Sequence, residues 1–470
     1  MTELLDDVIL AGAVRRSPSL EGYTVVRAET AADLKAYLRL RREVFVTEQS
    51  LFPGSDLDDV DDDPRRIVLL ARSDDGEVLG GVRLHPAQPE GRDVGWWRGS
   101  RLAVKQDARQ LLGVGAALVR AACAAAEQAG ALRFDATVQS RNEGLFRRLG
   151  WIPRERVHLH DMTHVVMEWP VRRIRQLSEA TKSPLGDLVG ALVGQSTPGF
   201  QGDDGAPVPG SDLVAACDAI LPSMVERDPE WAGWCAVLVN VNDLSAMGAE
   251  PVGLLDAIGA RDASFARRIV RGLAEAAQAW GVPVLGGHTQ LGVPAALSVT
   301  ALGRTEWPVP GGGGAPGDVL RLSADLGGGW RPGYRGRQWD SSSHRTSAEL
   351  RALSGVVPSL APTAAKDVSM AGVVGTAGML AEASGCRAII DVGAVPTPAT
   401  ASTADWLTCF PGFAMLTAEA AARTEPELPG FLSSAVCGEL VPGTGVGLRW
   451  LDGTVTDAID HTVTGLGPAS

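Results

Sequence analysis

Apolar and polar positions follow one pattern over the first third of the chain. Short apolar runs in TVVRA, RRIVLLAR, EVLGGVRL, SRLAV and RFDATV predict β-strands, and Asp74–Gly76 forms the turn between the second and third runs. A helical pattern occurs in AADLKAYLRLRREVF, in an Ala-rich segment from about Gly115 to Gly130, and in RNEGLFRRLGW. Residues 1–170 are therefore expected to form a mixed α/β domain.

The pattern changes after a short polar stretch, residues 171–184, which we interpret as a linker. Glycine and proline become frequent, and the runs DLVAAC, CAVLVNVN, PVGLLDAI and PAALSVTALG predict strands that alternate with a helix in ASFARRIVRGLAEAAQAWG. A Gly-rich loop at Gly311–Gly314 leads into GDVLRLS, and DVSMAGVVGTAGMLAEASG opens the last third. This alternation is typical of an α/β or α+β fold, which we divide into residues 185–310 and 311–470.

Composition and charge narrow the class of protein. At 470 residues the chain exceeds the size at which one hydrophobic core keeps growing, so two or three domains are expected. Hydrophobic residues make up 45% and charged residues 21%, as in ordinary soluble globular proteins. Residues 1–175 carry 26 basic and 26 acidic side chains, so the net charge of -13 lies in the remainder. This acidity argues against nucleic-acid binding there and is compatible with metal-holding carboxylates.

The cysteines and the N-terminus indicate the compartment. Six scattered cysteines include no C-x-x-C pair and no histidine at zinc-ligand spacing, which favours free thiols in a reducing environment. Asp6 and Asp7 stand where a signal peptide would be basic, and the apolar run Val8–Val14 is too short to span a membrane. We therefore expect a cytoplasmic protein without membrane or nucleic-acid partners.

One loop in the first domain has the features of an anion site. Gln110, Gly113 and Gly115 form the pattern Q-x-x-G-x-G before the Ala-rich helix, where glycines permit close approach and the helix N-terminus favours a pyrophosphate. Such a loop also occurs where a helix merely packs on its sheet. The order of the elements, together with Leu149-Gly150-Trp151 further on, makes residues 21–170 resemble the GNAT acetyltransferases.

This resemblance implies that acetyl-CoA, or another acyl-CoA, donates its acyl group to a small amine. It implies that the strand backbone at Leu102, Ala103 and Val104 binds pantetheine, and that Asn142 faces the cofactor. It also implies that Gly113, Gly115 and Ala116 cradle the pyrophosphate, with Gln110 as the first residue of the same cofactor-binding motif. Leu102 and Val104 are equally expected in a strand core. Phe146 stands where many of these enzymes have the tyrosine that protonates the leaving thiolate, so no general acid is assigned.

A second part of the resemblance concerns the acceptor. LRREVFVTEQSLFPGSDLDDVDD resembles a subgroup of GNAT proteins and the acyl-homoserine lactone synthases, which implies an acceptor end formed by Arg42, Phe45, Glu48, Gln49 and Asp58. Glu48 is our candidate for the base that takes the amine proton. Asp61, Asp62 and Asp63 are equally expected in a solvated acidic loop.

The first domain also resembles the nitrogen-starvation N-acetyltransferases of nitrilase gene clusters. The segments RLRREVF, WWRGSRLAV and LFRRLGW carry this likeness. It adds three histidines that could face the acceptor, although surface or core histidines are more common: His158, His160 and His164.

Four motifs in order make the region from about Leu185 to Gly467 resemble the aminoimidazole ribonucleotide synthetase (PurM-like) superfamily, which includes selenophosphate synthetase and thiamine-monophosphate kinase. They are GDDGA at Gly202–Ala206, LVAACDAI with Asp218, VNVNDLSAMGAEP at Val239–Pro251, and GGHT at Gly286–Thr289. A later K-D-x-S sequence, Lys366–Ser369, resembles the signature that opens the C-terminal half.

The second resemblance implies ATP and Mg²⁺ as cofactors. Mg²⁺ prefers hard oxygen ligands and leaves positions for phosphate oxygens, although each aspartate alone would more often cap a helix or a turn. The implied metal ligands are Asp204, Asp218 and Asp243, and the implied catalytic residues are Lys366 and Asp367. The implied nucleotide-binding residues are Asn242, Gly286, Gly287, His288 and Thr289, the last four in a phosphate-side loop. Because no Walker-type loop is present, metal and backbone would hold the phosphates.

Together these features predict a GNAT fold followed by a two-subdomain PurM-like α+β fold. The expected function is that of a bifunctional enzyme, an N-acyltransferase joined to an ATP-dependent synthetase or kinase-like domain that acts on a small nitrogenous metabolite. A protein that binds acetyl-CoA and ATP without turnover, and an acyl-homoserine-lactone-synthase-like enzyme, are the alternatives. We expect a homodimer through the second domain. The loop Gly329–Ser343 either shapes a substrate pocket or connects subdomains.

Overall fold

The computed structural model describes residues 22–88, 90–110, 113–159, 162–193, 197–421 and 427–469. Within these ranges the chain forms two compact units. The first unit runs to Arg173 and includes Ser402–Ala404, and the second covers Ile174–Ala401 and continues from Asp405. None of the described helices has the length and apolar character that crossing a bilayer requires.

The first unit is built on a seven-stranded sheet with the order β1-β2-β3-β4-β5-β7-β6. Neighbouring strands are antiparallel except for the parallel pair β4 and β5. Each apolar run that predicted a strand in this unit forms one. The strands are β1 Tyr23–Arg27, β2 Ile67–Ser73, β3 Val78–Pro86, β4 Trp96–Val104, β5 Arg133–Gln139, β6 Ile152–Leu159 and β7 Met162–Trp169.

Helices α1 Ala31–Arg41, α2 Val114–Gln128 and α3 Glu143–Arg148 belong to the same unit. A capping box starts α1, because the Thr30 side chain accepts from the Asp33 amide while the Asp33 side chain accepts from the Thr30 amide. The chain then continues as a π-helical turn over Arg42–Glu48. The apolar face of α2, with Leu118 and Ala122, packs in the core of the unit.

The second unit contains a five-stranded sheet with the order β11-β10-β12-β9-β8. Its strands are β8 Ala206–Pro207, β9 Leu213–Ala219, β10 Glu250–Ala260, β11 Val284–Leu291 and β12 Ala296–Arg304. The accompanying helices are α4 Arg173–Thr181, α5 Leu185–Val193, α6 Pro222–Arg227, α7 Pro229–Ala246 and α8 Ala263–Trp280. Residues of α7, α8 and this sheet share one hydrophobic core.

The prediction of a strand at CAVLVNVN was wrong, because this segment lies inside the 18-residue helix α7. A short apolar run rich in valine does not distinguish a strand from a buried helix. The helix begins with Pro229 in its first turn, where a missing amide proton costs nothing, and it is buried on nearly all sides. Its uniform burial explains why no polar face marked it in the sequence.

A seven-stranded sheet with the order β16-β18-β13-β19-β17-β20-β21 completes the second unit. Its strands are β13 Val319–Ala324, β16 Ala364–Asp367, β17 Arg387–Asp391, β18 Ala414–Glu419, β19 Ser433–Val441, β20 Val446–Arg449 and β21 Val455–Ile459, and the hairpin β14 Gly329–Trp330 with β15 Trp339–Asp340 stands apart. The helices are α9 Ser347–Leu353, α10 Val356–Leu360, α11 Gly372–Ala383 and α12 Thr403–Thr408.

The stretch interpreted as a linker is largely helical, since α4 occupies residues 173–181 of it. Ile174 and Ser178, one helical turn apart, are buried within the second unit, and Arg175 pairs with Asp460 at 2.6 Å. Two buried positions at this spacing give the helix an inner face despite its polar composition. The segment is therefore an ordered part of the second unit.

Candidate functional site

The parallel pairing of β4 and β5 stops halfway along β4. The described ladder joins Trp96–Gly99 to Arg133–Ala136, whereas β4 continues to Val104 and pairs on its other side with β3. Arg101 has a φ of 53°, and the β3–β4 register shifts beside it, as at a β-bulge. On the side of β4 that faces away from β3, Leu102, Ala103 and Val104 are therefore not paired with β5. An extended ligand can hydrogen-bond there.

The helix N-terminus beside this edge has the geometry of an anion site. Gly113 is the N-cap of α2 with a φ of 102°, in the left-handed region that favours glycine. Among the described residues, a Cβ on Gly115 would meet only Val104 Cγ2, at 3.8 Å, so these residues leave the first turn open near Gly115. Gln110 ends a short 3₁₀ turn, and its side chain lies outside the described residues.

Glu48 does not have the surroundings of a general base. Both of its carboxylate oxygens accept bonds from Arg109, at 2.6 and 2.7 Å. This bidentate pair lowers the pKa of Glu48 below its usual value, because the bonds favour the ionised form. A carboxylate with a lowered pKa is a poorer proton acceptor, so the geometry opposes the role predicted for it.

The predicted acceptor end brings other side chains together. Gln139, at the end of β5, donates to the Gln49 side chain at 3.0 Å, and the buried His164 stands opposite Gln139 in the β5–β7 ladder. Phe45 is buried, whereas Asn142 is exposed at the start of α3. Of the other two predicted histidines, His158 is exposed, and His160 lies outside the described residues.

A buried network of arginines and aspartates lies under the acidic loop. Arg41 is fully buried and bonds Asp56 at 2.7 Å and Asp61 at 2.5 Å. Arg83 bonds Asp58 at 2.6 Å and Asp61 at 2.7 Å. Arg42, which was predicted at the acceptor end, is exposed, and Arg41 was not singled out in the sequence. Arg41 stands four residues after the buried Tyr37, which is the spacing that could have identified it.

Phe146, at the position where many GNAT enzymes have a tyrosine, packs in the core of the first unit. Phe146 is buried, and its ring lies 5.2 Å from that of Trp151 in an edge-to-face arrangement. The Tyr37 hydroxyl donates to the Arg101 carbonyl at 2.8 Å, and burial raises the pKa of Tyr37. Neither aromatic side chain is therefore placed as a proton donor to a thiolate.

In the second unit, four aspartates from four different elements interact electrostatically. Asp204 precedes β8, Asp218 lies on β9, Asp243 on α7, and Asp367 ends β16. Burial raises the pKa of Asp243, and the negative charges of the other three raise it further. We name these four residues the aspartate cluster. Three were predicted as ligands at strand ends, but Asp243 is delivered by a helix.

Lys366 is the buried cation at the aspartate cluster. Its Nζ lies 3.2 Å from Asp204 Oδ1 and 3.6 Å from Asp203 Oδ1, and it donates to the Gly202 carbonyl at 3.0 Å. Burial lowers the pKa of Lys366, but the two carboxylates outweigh burial and raise it. Asp204 Oδ2 also accepts from the Asp367 amide at 2.8 Å.

Asp203 was not singled out in the sequence. Its Oδ2 accepts from the Gly311 amide at 2.8 Å, while its Oδ1 is buried without a hydrogen bond. A Cβ on Gly311 would lie 2.3 Å from that oxygen, so only glycine permits this approach. Its place beside Asp204 in GDDGA was the available signal.

The donor set suits a cation, although it is not closed around one. Among the described residues no three His, Cys, Asp or Glu side chains stand in metal-holding geometry. Nevertheless, Asp243 and Asp367 are buried with raised pKa values, and their neighbours include more carboxylates than cations. Bringing a divalent cation to these oxygens would relieve that repulsion, so the residues fit Mg²⁺ by charge and donor type.

The remaining predicted nucleotide residues are placed differently. Asn242 is buried, and its amide nitrogen donates to the Gly412 carbonyl at 2.7 Å. Gly286, Gly287, His288 and Thr289 lie on the strand β11, not in a loop, because they pair in parallel with β10. A Cβ on Gly287 would approach Asp256 to 2.3 Å, so this glycine permits close strand packing.

The loop Gly329–Ser343 packs against the first half of α7. Trp231 Nε1 donates to Gln338 at 2.8 Å, and Trp234 Nε1 donates to Ser342 at 3.0 Å. Asp243 stands about two and a half turns further along the same helix. The loop thus braces the helix that carries one member of the aspartate cluster.

Comparisons with known families match both units. Residues 34–151 match the Acetyltransferase (GNAT) family, residues 202–305 match the AIR synthase related protein, N-terminal domain, and residues 315–450 match the AIR synthase related protein, C-terminal domain. The chain therefore belongs to the AIR synthase related proteins through its second unit, which follows a GNAT acetyltransferase domain. The predicted order of folds is confirmed.

Individual relatives and a solved structure each resemble part of the chain. The uncharacterized protein sll0787 of Synechocystis is 36% identical over 233 residues, which cover 48% of this chain and 72% of the relative. The thiamine-monophosphate kinase of Caulobacter vibrioides is 31% identical over 208 residues, 40% of this chain and 57% of the kinase. The crystal structure of thiamine monophosphate kinase from Aquifex aeolicus has 21% identity and a TM-score of 0.43, covering 57% of this chain and 96% of that one.

Proposed function

We propose that the chain is a bifunctional enzyme that acylates a small amine and uses ATP with Mg²⁺ to activate a small nitrogenous metabolite. The observation that carries the second activity is the aspartate cluster, in which the buried Asp243 and Asp367 interact with the half-buried Asp204 and the exposed Asp218. The half-paired strand β4 beside the N-terminus of α2 supports the first. Both features belong to units whose families are an acetyltransferase and an AIR synthase related protein.

The acyl donor is proposed to be acetyl-CoA. Its pantetheine would hydrogen-bond the free edge at Leu102–Val104, and its pyrophosphate would lie at the first turn of α2. The amides of that turn have no partner within the helix, so an anion satisfies both the hydrogen bonds and the helix dipole. The acceptor amine would enter near Gln49, Gln139 and His164.

A charge placed at Gly115 tests the donor site. Gly115→Asp puts a carboxylate in the first turn, where it should repel pyrophosphate and weaken acetyl-CoA binding at least tenfold by isothermal titration calorimetry. Gly115→Ala is the matched control, because a Cβ there would lie at an ordinary contact distance of 3.8 Å from Val104. Equal acetyl-CoA affinity for the Asp and Ala variants would overturn the assignment.

The ATP-using site is proposed at the aspartate cluster. Asp204, Asp218 and Asp243 would hold Mg²⁺, which when bound supplies charge neutralisation to the phosphates. Lys366 holds Asp203 and Asp204 in place through contacts of 3.6 and 3.2 Å. Asp367 keeps a raised pKa through burial and its neighbours, so it retains a proton more readily than an ordinary aspartate when no cation is bound.

A turnover screen tests the pair of activities. The intact chain, incubated with acetyl-CoA, Mg-ATP and a pool of small amines and amides, is expected to yield an acylated product and to consume ATP, both followed by mass spectrometry. Asp218→Asn should stop ATP consumption and leave acylation intact. If both ligands bind and neither is consumed, the chain is a ligand-binding protein without turnover.

We also propose that two copies pair through the five-stranded sheet. The edge strand β11 exposes Leu285 and Leu291, at 57% and 54%, and neighbouring β10 exposes Leu255. An unpaired, apolar sheet edge is a surface that a second copy can cover. Light scattering at micromolar concentration should give twice the mass of one chain. A monomer there would contradict the pairing.

A further inference from the structure

Two buried asparagines lie inside α7 next to a member of the aspartate cluster. Asn240 and Asn242 are exposed by 0% and 2%, and Asp243 follows directly. A buried side-chain amide is costly unless its polar atoms form hydrogen bonds, so the partners of the two amides show what each one holds. At about 3.6 residues per turn, the two asparagines are roughly 200° apart around the helix, and Asp243 lies on the shorter arc between them.

Asn240 fixes the strand that carries Asp218. Its side-chain oxygen accepts a hydrogen bond from the Asp218 amide at 3.3 Å, and its side-chain nitrogen donates to the Ala236 carbonyl, one turn earlier, at 2.8 Å. The carbonyl of Asp218 accepts from Ser298 Oγ on β12 at 3.0 Å. Because α7 and β12 both hold the backbone of Asp218, the place of this residue relative to Asp243 depends on Asn240.

Asn242 fixes the segment that precedes β18. Its side-chain nitrogen donates to the Gly412 carbonyl at 2.7 Å. Gly412 has a φ of 73°, in the left-handed region, and a Cβ there would lie 2.6 Å from Ser341 Oγ and 2.8 Å from the Trp339 carbonyl oxygen. The segment is therefore closely packed against the loop Gly329–Ser343, and only glycine fits where it meets Asn242.

The same segment leads directly to the strand partner of Asp367. Strand β16 pairs with β18 along its whole length, and Met415, shortly after Gly412, stands opposite Asp367 in this ladder. The Asp367 amide donates to Asp204 Oδ2 at 2.8 Å. Asn242 is thus connected to Asp367 and Asp204 through one short segment, while Asn240 is connected to the remaining member of the aspartate cluster.

We propose that Asn240 and Asn242 are positioning residues of the ATP site, which set the spacing of the aspartate cluster around Asp243 and thereby favour Mg²⁺ over larger divalent cations. The proposal rests on the ATP-using function proposed above. Mg²⁺ requires near-octahedral oxygen geometry at short distances, whereas Ca²⁺ accepts more ligands in irregular geometry. Loss of a group that holds metal ligands in place commonly costs about tenfold to a hundredfold in metal affinity.

The test compares ATP binding with two cations on the intact chain. In Asn240→Ser and in Asn242→Ser, calorimetric titration of ATP should give an affinity about tenfold to a hundredfold below wild type with Mg²⁺, and less than about threefold below it with Ca²⁺. Serine is a mild replacement within α7, because its hydroxyl can bond the carbonyl four residues earlier, as Ser245 Oγ does with Val241 at 2.7 Å.

Ser245→Ala is the matched control, because it removes a buried hydrogen bond that begins and ends within α7. Its ratio of Mg-ATP to Ca-ATP affinity should equal that of wild type. Thermal melts in EDTA check that each variant is folded. Because the two asparagines hold different segments, either serine variant alone is sufficient for the comparison.

The ratio of the two affinities decides the proposal. An unchanged ratio in a folded serine variant would make that asparagine a support of the fold only and overturn its positioning role, while Mg-ATP binding by wild type would leave the proposed function in place. A ratio lowered equally by Ser245→Ala would overturn the role as well, because any buried bond of α7 would then have the same effect. If wild type binds ATP equally with Mg²⁺ and with EDTA, the proposed function fails, and the positioning role fails with it.

Discussion

Both units contain groups of aspartates, but the charges of the two groups are compensated in opposite ways. In the first unit Asp56, Asp58 and Asp61 meet buried guanidinium groups at 2.5 to 3.0 Å, supplied by Arg41, Arg83 and Arg101. In the second unit Lys366 pairs with Asp204, while the neighbouring carboxylates raise the pKa of the buried Asp243. We call the first group the matched cluster, because arginines pair with its aspartates. We call the aspartate cluster of the second unit the unmatched cluster, because the charges around Asp243 are mainly negative.

The pKa values of the two groups of aspartates are shifted in opposite directions. Burial opposes ionisation of Asp61, yet the bond from Arg41 and the charge of Arg83 outweigh it and lower the pKa to about 2. Burial also acts on Asp243, but there the neighbouring carboxylates add to it, and the pKa rises. A matched cluster is a structural support, whereas an unmatched one stores repulsion that a bound cation removes.

The largest expected effect is at the matched cluster. Asp61→Ala leaves Arg41 and Arg83 buried with lost partners, which should lower the free energy of unfolding of the first unit by about 3 to 5 kcal/mol. Calorimetry of the intact chain measures the loss, and hydrogen exchange of peptides from each unit localises it. The exposed Asp59→Ala in the same loop is the control and should change stability little. A loss under 1 kcal/mol for Asp61→Ala would mean that the network is not a support.

At the unmatched cluster the corresponding change should stabilise the chain without ligand. Asp243→Asn removes a buried negative charge, so the melting temperature of the second unit without Mg²⁺ should rise, while Mg-ATP binding should weaken at least tenfold. Thermal melts with EDTA and with Mg-ATP measure both effects. A variant that melts lower in EDTA would show that Asp243 is not under repulsion.

The two clusters should also respond oppositely to pH. The folded pKa of Asp61 is lowered, so its contribution to stability is present above the ordinary aspartate value and is lost as the pH falls toward 2. The folded pKa values of Asp243 and Asp367 are raised, so in EDTA their contribution falls as the pH rises above the ordinary value. Hydrogen exchange of each unit across pH separates the trends. Parallel trends in both units would contradict the contrast.

The smallest expected effect concerns Glu48. Because Glu48 is partly exposed and already bound by Arg109, Glu48→Gln should change stability by less than about 1 kcal/mol and acyl transfer by less than about threefold. The acyl-transfer rate of the purified variant, measured over pH, checks this. A large loss of rate with a shifted pH profile would restore Glu48 as the base.

The sequence predicted the parts of the fold that local patterns determine. Strands β1 to β5 of the first unit follow alternating or short apolar runs, and the motif order indicated both families. Helix α7 was missed because burial on all sides removes the polar face that separates helix from strand. Arg41 was not singled out, although its helical spacing from Tyr37 marked the buried face.

The site was less predictable because its members meet only in three dimensions. Asp204, Asp218 and Asp243 were chosen from their motifs, and the structure shows their charges acting on one another. Arg109 neutralises Glu48 across 61 positions of sequence, which no local pattern indicates.

The central claim is that the unmatched aspartate cluster holds Mg²⁺ together with ATP, and calorimetric titration of ATP into the intact chain tests it most directly. With millimolar Mg²⁺ the account predicts saturable binding at one site per chain, and with EDTA a loss of affinity of at least tenfold. Asp243→Asn should bind ATP equally weakly under both conditions. Equal ATP affinity of wild type with Mg²⁺ and with EDTA would contradict the claim.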